Sequence, residues 1–292
     1  MADNFSYLDQ FTREEVAEFK EASKLKAVER QRGEQFLLSA ATGVRRRRLI
    51  AEGDSWFDYL PGTDLIDCLR NLFDYDIEKF AKAGDTLENM IFGTGINRHF
   101  EREVPQIYTI LRRIEQIKPK VFLFSGGGND VAGDEFDLYL NHKLSGLPAY
   151  REVFADQIIN GVFRTYFEGM IAAVAQRSPG THIVVHGYGH TFPTGRGVDV
   201  LGCTFAGPWL KPALVKKAIL DEVEQRSIVF GLIDLYNEML ASLGGAHRNF
   251  HHVDLRPILD PFTDWANELH LTNSAYARAA REIHQTIEPL FS

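Results

Sequence analysis

The sequence predicts an α/β domain built on a parallel sheet with helices on both faces. Five short apolar runs are separated by stretches of helical periodicity, the alternation expected of such a fold. Over 292 residues, 45% hydrophobic and 25% charged content are ordinary globular values, and the chain can bury a full core. Neither an internal repeat nor a low-complexity linker divides it. We therefore expect one domain over 46–292, preceded by a helical arm over 1–45.

The arm comes first. Thr12 and Glu15 have capping-box spacing, and the chain to Leu38 is rich in Glu, Lys, Ala and Leu without proline. Its apolar stripe (Val16, Phe19, Leu25) is thin, so the helix over 12–40 reads as a surface arm or a homo-oligomer contact. Arg45-Arg46-Arg47-Arg48 reads as a solvated lead-in to the first strand, Leu49–Glu52. Helical periodicity follows over 63–73, then a less apolar strand over 76–81, ended by Ala83-Gly84-Asp85-Thr86. Val104, Ile107, Ile110, Leu111, Ile114 and Ile117 form one stripe of a helix over 101–117. Val121–Phe124 is the most strand-like run, halted by Ser125-Gly126-Gly127-Gly128-Asn129-Asp130. A helix over 152–177 stops at Ser178-Pro179-Gly180. A strand over 182–186, helix over 211–242, strand over 250–255 and closing helix over 272–290 complete the order. Long loops over 131–151 and 187–210 leave the carboxyl edge of the sheet, where open α/β folds bind ligands.

Composition excludes several classes. A net charge of −8 argues against a nucleic-acid binder. No run approaches the roughly 20 apolar residues of a membrane span, and Met-Ala-Asp-Asn-Phe-Ser does not open a signal peptide, so a cytoplasmic protein is expected. Cys68 and Cys203 are the only cysteines and form no CxxC motif. His186 and His190 are separated by glycines that break a helix, and His251 and His252 point to opposite faces of a strand. A metal site is therefore not expected, and neither is any cofactor: the Gly-rich run at 126–128 matches neither a dinucleotide fingerprint nor a P-loop.

The chemistry lies at the strand ends. A serine at the break after the first strand is held rigidly yet open to ligands, but its hydroxyl needs a base. Gly53-Asp54-Ser55-Trp56 follows the first strand, Gly84 the second, Gly128-Asn129-Asp130 the third, and His270 precedes the last helix. Taken in order, these blocks resemble the SGNH (GDSL-type) hydrolase superfamily, whose four marker residues fall here on Ser55, Gly84, Asn129 and His270. Each residue alone has a bland reading as a cap, a turn or a surface histidine; the ordered set does not. Gly-x-Ser-x-Gly is absent, so the α/β-hydrolase elbow is not matched.

The resemblance implies a three-layer αβα, flavodoxin-like doubly wound sheet with strand order 2-1-3-4-5. It implies a serine esterase acting on a small-molecule carboxylic ester, with a short acyl group such as acetyl. Ser55 would be the nucleophile and His270 the general base, with an oxyanion hole from the backbone N–H groups of Ser55 and Gly84 and the Asn129 amide. Asp54 and Asp130 read as structural. One departure matters: the family places an aspartate three residues before the histidine, where this chain has Asn267. Asn267 could orient the ring without charge, Asp264 could reach it instead, or a backbone carbonyl could serve. Asn267 is preferred, and the histidine pKa is then expected to lie nearer the ordinary ~6.5 than in a carboxylate-backed triad. Trp56, His190, Phe192 and Arg196 are expected to line the substrate pocket. Lysophospholipase, thioesterase and carbohydrate O-acetylesterase activities fit the same residues, as does a binding module that has lost turnover.

Overall fold

The computed structural model describes residues 47–59, 62–102, 104–200 and 203–292. The expected arm and its helix over 12–40 lie outside them. In chain order the elements are β1 (Arg48–Glu52), α1 (Leu65–Phe73), β2 (Asp76–Lys79), α2 (Leu87–Phe92), α3 (Gln106–Ile117) and β3 (Val121–Phe124). There follow α4 (Glu152–Asp156), a π-helical segment (Gln157–Phe163), α5 (Arg164–Arg177) and β4 (His182–His186). The remainder is β5 (Val198–Val200), β6 (Cys203–Ala206), α6 (Lys211–Lys216), α7 (Glu222–Ala246), β7 (Phe250–Val253) and α8 (Asn273–Ile287).

Five strands form one parallel sheet in the order β2-β1-β3-β4-β7. In terms of the five strands expected from sequence this is 2-1-3-4-5, so β1 lies between β2 and β3. Alternate side chains face opposite layers, as the strand period requires. Ile50, Phe122, Phe124, Ile183 and Val185 pack on the layer holding α2, α3, α5 and α7. Leu49, Ala51, Val121, Leu123 and Val184 pack on the layer holding α1 and α8. Each such fully buried Val, Leu, Ile or Phe side chain contributes about 1.5–3 kcal/mol relative to exposure. On α8 the buried stripe includes Ala275, Ala279 and Ala280, small residues that let it lie close against α1.

Several expectations change, beyond strands that end two residues early at Lys79 and Val253 and a helix α2 that was not anticipated. The third helix begins at Gln106 rather than at 101, with Pro105 at its N-cap, because a proline disfavours helix at the residue before it. The helix expected over 211–242 is two helices. Asp221 accepts the Glu224 N–H at 2.8 Å and starts α7 afresh, after Ala218 has adopted a positive φ of 58°. The hairpin β5–β6 was not anticipated within the 187–210 loop. Among the described residues no helix is long and apolar enough to cross a membrane.

Candidate active site

The sheet brings the ends of β2, β1 and β3 side by side, and side-chain bonds lace their loops together. Asp54, 2% exposed, accepts the Trp56 N–H at 3.0 Å and the Ser125 hydroxyl at 2.9 Å, both on Oδ1. Its Oδ2 accepts the Tyr188 hydroxyl at 2.9 Å, which ties in the loop after β4. Burial pushes this carboxyl above its ordinary value, and these donors oppose the shift. Asp130 accepts the N–H groups of Leu87 at 2.7 Å and Glu88 at 3.3 Å, pinning the start of α2. Burial raises it to about 6. Both aspartates thus have the structural parts expected of them. Gly53 is required for space: a Cβ there would lie 2.8 Å from Phe57 and from Ser125.

Ser55 stands in the turn after β1, partly exposed, and its Oγ lies 2.8 Å from His270 Nε2. His270 Nδ1 lies 3.0 Å from Asn267 Oδ1. That oxygen also takes the N–H groups of Leu269 at 3.0 Å and His270 at 2.9 Å. Backbone amides can only donate, so Asn267 must present its oxygen to them, and the same oxygen requires a hydrogen on Nδ1. Nε2 is left bare and accepts from the Ser55 hydroxyl. The tautomer is therefore fixed by two backbone amides, without a carboxylate. Tyr59 stacks on the ring at 4.1 Å between centroids, and Trp209 meets it edge-on at 5.6 Å. His270 is 4% exposed, and burial drives its pKa down to about 3. Desolvation of the imidazolium carries it well below the ordinary ~6.5, and Asn267 brings no counter-charge to offset that.

Asp264 does not fill the orienting place. Its carboxylate pairs with Arg278 and accepts the Asp260 N–H at 2.7 Å, which closes the turn ahead of the histidine.

Asn129 donates one Nδ2 hydrogen to the Asp85 carbonyl at 2.8 Å, which aims the amide across the gap between the β2 and β3 loops. Among the described residues the backbone N–H groups of Ser55 and Gly84 donate to no protein acceptor. Gly84 has φ of 79°, with open space where a Cβ would stand. The left-handed turn itself therefore favours glycine here, beyond any need for close approach.

A cavity of about 90 Å³ opens beside Ser55 and Asn129, and Trp56 is among its walls as expected. His190, Phe192 and Arg196 are not. His190 bonds Asp234 at 2.8 Å, Phe192 packs on Phe262, and Arg196 contributes its carbonyl to the Glu268 N–H at 3.3 Å. From this loop Tyr188, Gly189 and Thr191 line the cavity instead.

Glu268 escaped the sequence reading. It is fully buried and its carboxylate accepts four backbone N–H groups: Gly195 at 2.8 Å, Trp209 at 2.6 Å, Leu210 at 2.7 Å and Lys211 at 3.1 Å. Two residues before His270, it clamps the loop that carries Trp209 against the ring. Among the described residues no cluster of three or more His, Cys, Asp or Glu side chains could hold a metal ion.

No protein-family model and no curated protein matches this chain. Solved structures do. Phospholipase A1 from Streptomyces albidoflavus is 11% identical with a TM-score of 0.49, covering 83% of this chain and 99% of that one. A family 3 carbohydrate esterase from Clostridium thermocellum is 15% identical with a TM-score of 0.45, over 85% and 98%. A protein described as a GDSL-like lipase from Parabacteroides merdae is 12% identical with a TM-score of 0.44, over 84% and 98%. The strand order is the one the SGNH resemblance implies. The three are likenesses of chain course at low identity, and the reading of the site rests on its own residues.

Proposed function

We propose that the protein is a serine esterase of the SGNH type, hydrolysing a carboxylic ester through an acyl-enzyme on Ser55. The observation that carries this reading is the 2.8 Å contact between Ser55 Oγ and a His270 Nε2 that the Asn267 bond leaves unprotonated. Ser55 Oγ attacks the acyl carbon as its proton passes to Nε2. The developing oxyanion receives the N–H groups of Ser55 and Gly84 and the second Asn129 amide hydrogen. Collapse breaks the bond to the alcohol, which leaves with the proton from His270. Water then repeats the sequence on the acyl-enzyme and regenerates Ser55. The imidazolium that forms has only the Asn267 dipole beside it, so the histidine returns its proton readily.

A fluorophosphonate is expected to attach to Ser55 alone, and Ser55→Ala to lose on the order of 10⁵–10⁶ in kcat. Asn129→Ala should lose roughly 10²–10³ in kcat with KM little changed. An unlabelled Ser55 in folded protein, or full turnover by Ser55→Ala, would overturn the assignment. A raised KM at constant kcat in Asn129→Ala would make that residue a ground-state contact instead.

A further inference from the structure

We infer that the acyl group carried by Ser55 is an aliphatic chain of several carbons, seated in the cavity beside Asn129. This rests on the esterase reading above and replaces the short acyl group that the resemblance implied. The cavity runs from Ser55 and Asn129 to a wall made by Val229, Leu232 and Ile233 of α7 and by Ile159. Ile159 belongs to the π-helical segment Gln157–Phe163, a local widening of the helix of the kind often found where a ligand site must be shaped. Val131 and Phe136, from the loop after β3, close one side.

Apart from Trp265, the polar side chains in the walls beyond Ser55 and Asn129 are already engaged. Glu268 is taken up by its four backbone donors, and Tyr236 donates to the Gly126 carbonyl. Tyr188 donates to Asp54 at 2.9 Å and Thr191 to the Glu268 carbonyl at 2.9 Å. Trp56 Nε1 donates to the Leu269 carbonyl at 3.0 Å, and Trp265 Nε1 is buried with no partner among the described residues. Beyond Ser55 and Asn129, which face the reacting carbonyl, the walls have little to offer a hydroxylated or charged group. A sugar or a carboxylate would lose hydrogen bonds to water on entering; an alkyl chain would lose none.

The cavity takes the acyl side of the ester rather than the alcohol side. The leaving alcohol must receive its proton from His270 Nε2, and His270 is not among the cavity walls, whereas Asn129, which faces the carbonyl oxygen, is. The alcohol therefore departs past the rings of Tyr59 and Trp209 that flank His270.

Two ester series test this on the full chain: p-nitrophenyl esters from acetate to octanoate, and butyrate esters of alcohols of graded length. The wild type should gain roughly fourfold in kcat/KM for each added acyl methylene until the cavity is filled, roughly 200-fold from acetyl to hexanoyl if all four methylenes fit. Leu232→Trp and Ile159→Trp should each cut the hexanoate-to-acetate ratio at least tenfold and leave the ranking of the alcohol series as it was. Thermal unfolding of each variant checks its fold, and the wild-type acyl series decides the matter even if both variants fail to fold. Preference for acetate in the wild type, or tryptophan variants that reorder the alcohols and not the acyl groups, would overturn the inference. A Ser55 that takes the phosphonate while preferring acetate defeats this inference alone. A Ser55 that does not react defeats the esterase reading itself.

Discussion

His190 and His270 both bond a side-chain oxygen, and the one with the better acid is the one out of place. His190 lies 2.8 Å from Asp234, whose carboxylate is shared with Arg256, and stacks on Phe230 at 4.2 Å on the outside of α7. It has the charged partner usually associated with a catalytic base, but among the described residues no hydroxyl nucleophile bonds it. His270 has only an amide, yet it sits at the carboxyl edge of the sheet with Ser55 against Nε2. The difference teaches that position and tautomer select the base here, while charge tunes it. A carboxylate beside Nδ1 would fix the same tautomer and stabilise the imidazolium; Asn267 does only the first.

The largest break in this comparison is Asn267→Ala. It removes the oxygen that holds Nδ1–H and leaves two backbone N–H groups without their acceptor. We expect kcat to fall on the order of 10³–10⁴-fold, the scale of placing a triad histidine in the wrong tautomer. Asp264→Asn, which weakens the pair with Arg278 and leaves the Nδ1 partner intact, should stay within about tenfold. Steady-state kinetics on one ester decide it: the reverse ranking would make Asp264 the orienting acid.

A smaller change sharpens the part charge plays. His270 is held neutral by burial, with its pKa near 3, so the base is competent down to low pH and the acidic limb of kcat/KM should lie well below 6.5. Between the unfolded value of about 6.5 and 3, the unfolded chain binds a proton at this position that the folded chain does not. Stability should therefore fall as pH drops through that window, with His186 and His252, both near 4, adding to the effect. Asn267→Asp supplies a negative charge and should move the acidic limb up by one unit or more. A limb that stays in place in a folded Asn267→Asp would show that the side chain at 267 does not set the electrostatics of the ring.

What was legible in the sequence divides along the same line. β1 and β3 were readable because apolar runs end in glycine-containing breaks, and Ser55, Asn129 and His270 follow from motif order on those breaks. Asn267 was readable from its spacing of three. Glu268 was not, because its partners are backbone N–H groups at 195 and 209–211, and every residue but proline offers one. Ile159 and the α7 wall could be seen as core-facing, but periodicity does not separate a side chain that meets a cavity from one that meets another side chain. His190, Phe192 and Arg196 looked plausible because their loop leaves the correct sheet edge; which way His190 and Phe192 turn depends on partners distant in sequence, Asp234 and Phe262. The depth of the His270 pKa shift was not legible for a related reason. Spacing identifies a partner, while desolvation depends on Tyr59 and Trp209, about 200 and 60 residues away.

The smallest expected effect belongs to the other histidine, and it tests the comparison from the opposite side. If position selects the base, removing the charge from the His190 pair should leave the chemistry alone. Asp234 is 40% exposed on its side chain, so solvent screens its attraction to His190 and Arg256, and a pair of that kind contributes about 0–1 kcal/mol. Asp234→Asn keeps the shape, and Arg256 retains Asp254 at 2.6 Å. The variant should unfold within a few degrees of the wild type and keep kcat within about twofold on every ester. His190→Ala should cost somewhat more stability, because it also removes the ring stacked on Phe230, one residue from Val229 in the cavity wall. Any loss should then appear as a change in acyl ranking through KM, with the kcat on each ester held. A fall of two orders of magnitude in kcat from Asp234→Asn, at unchanged unfolding temperature, would mean that His190 takes part in proton transfer and that the contact between His270 and Ser55 is not the whole of the base.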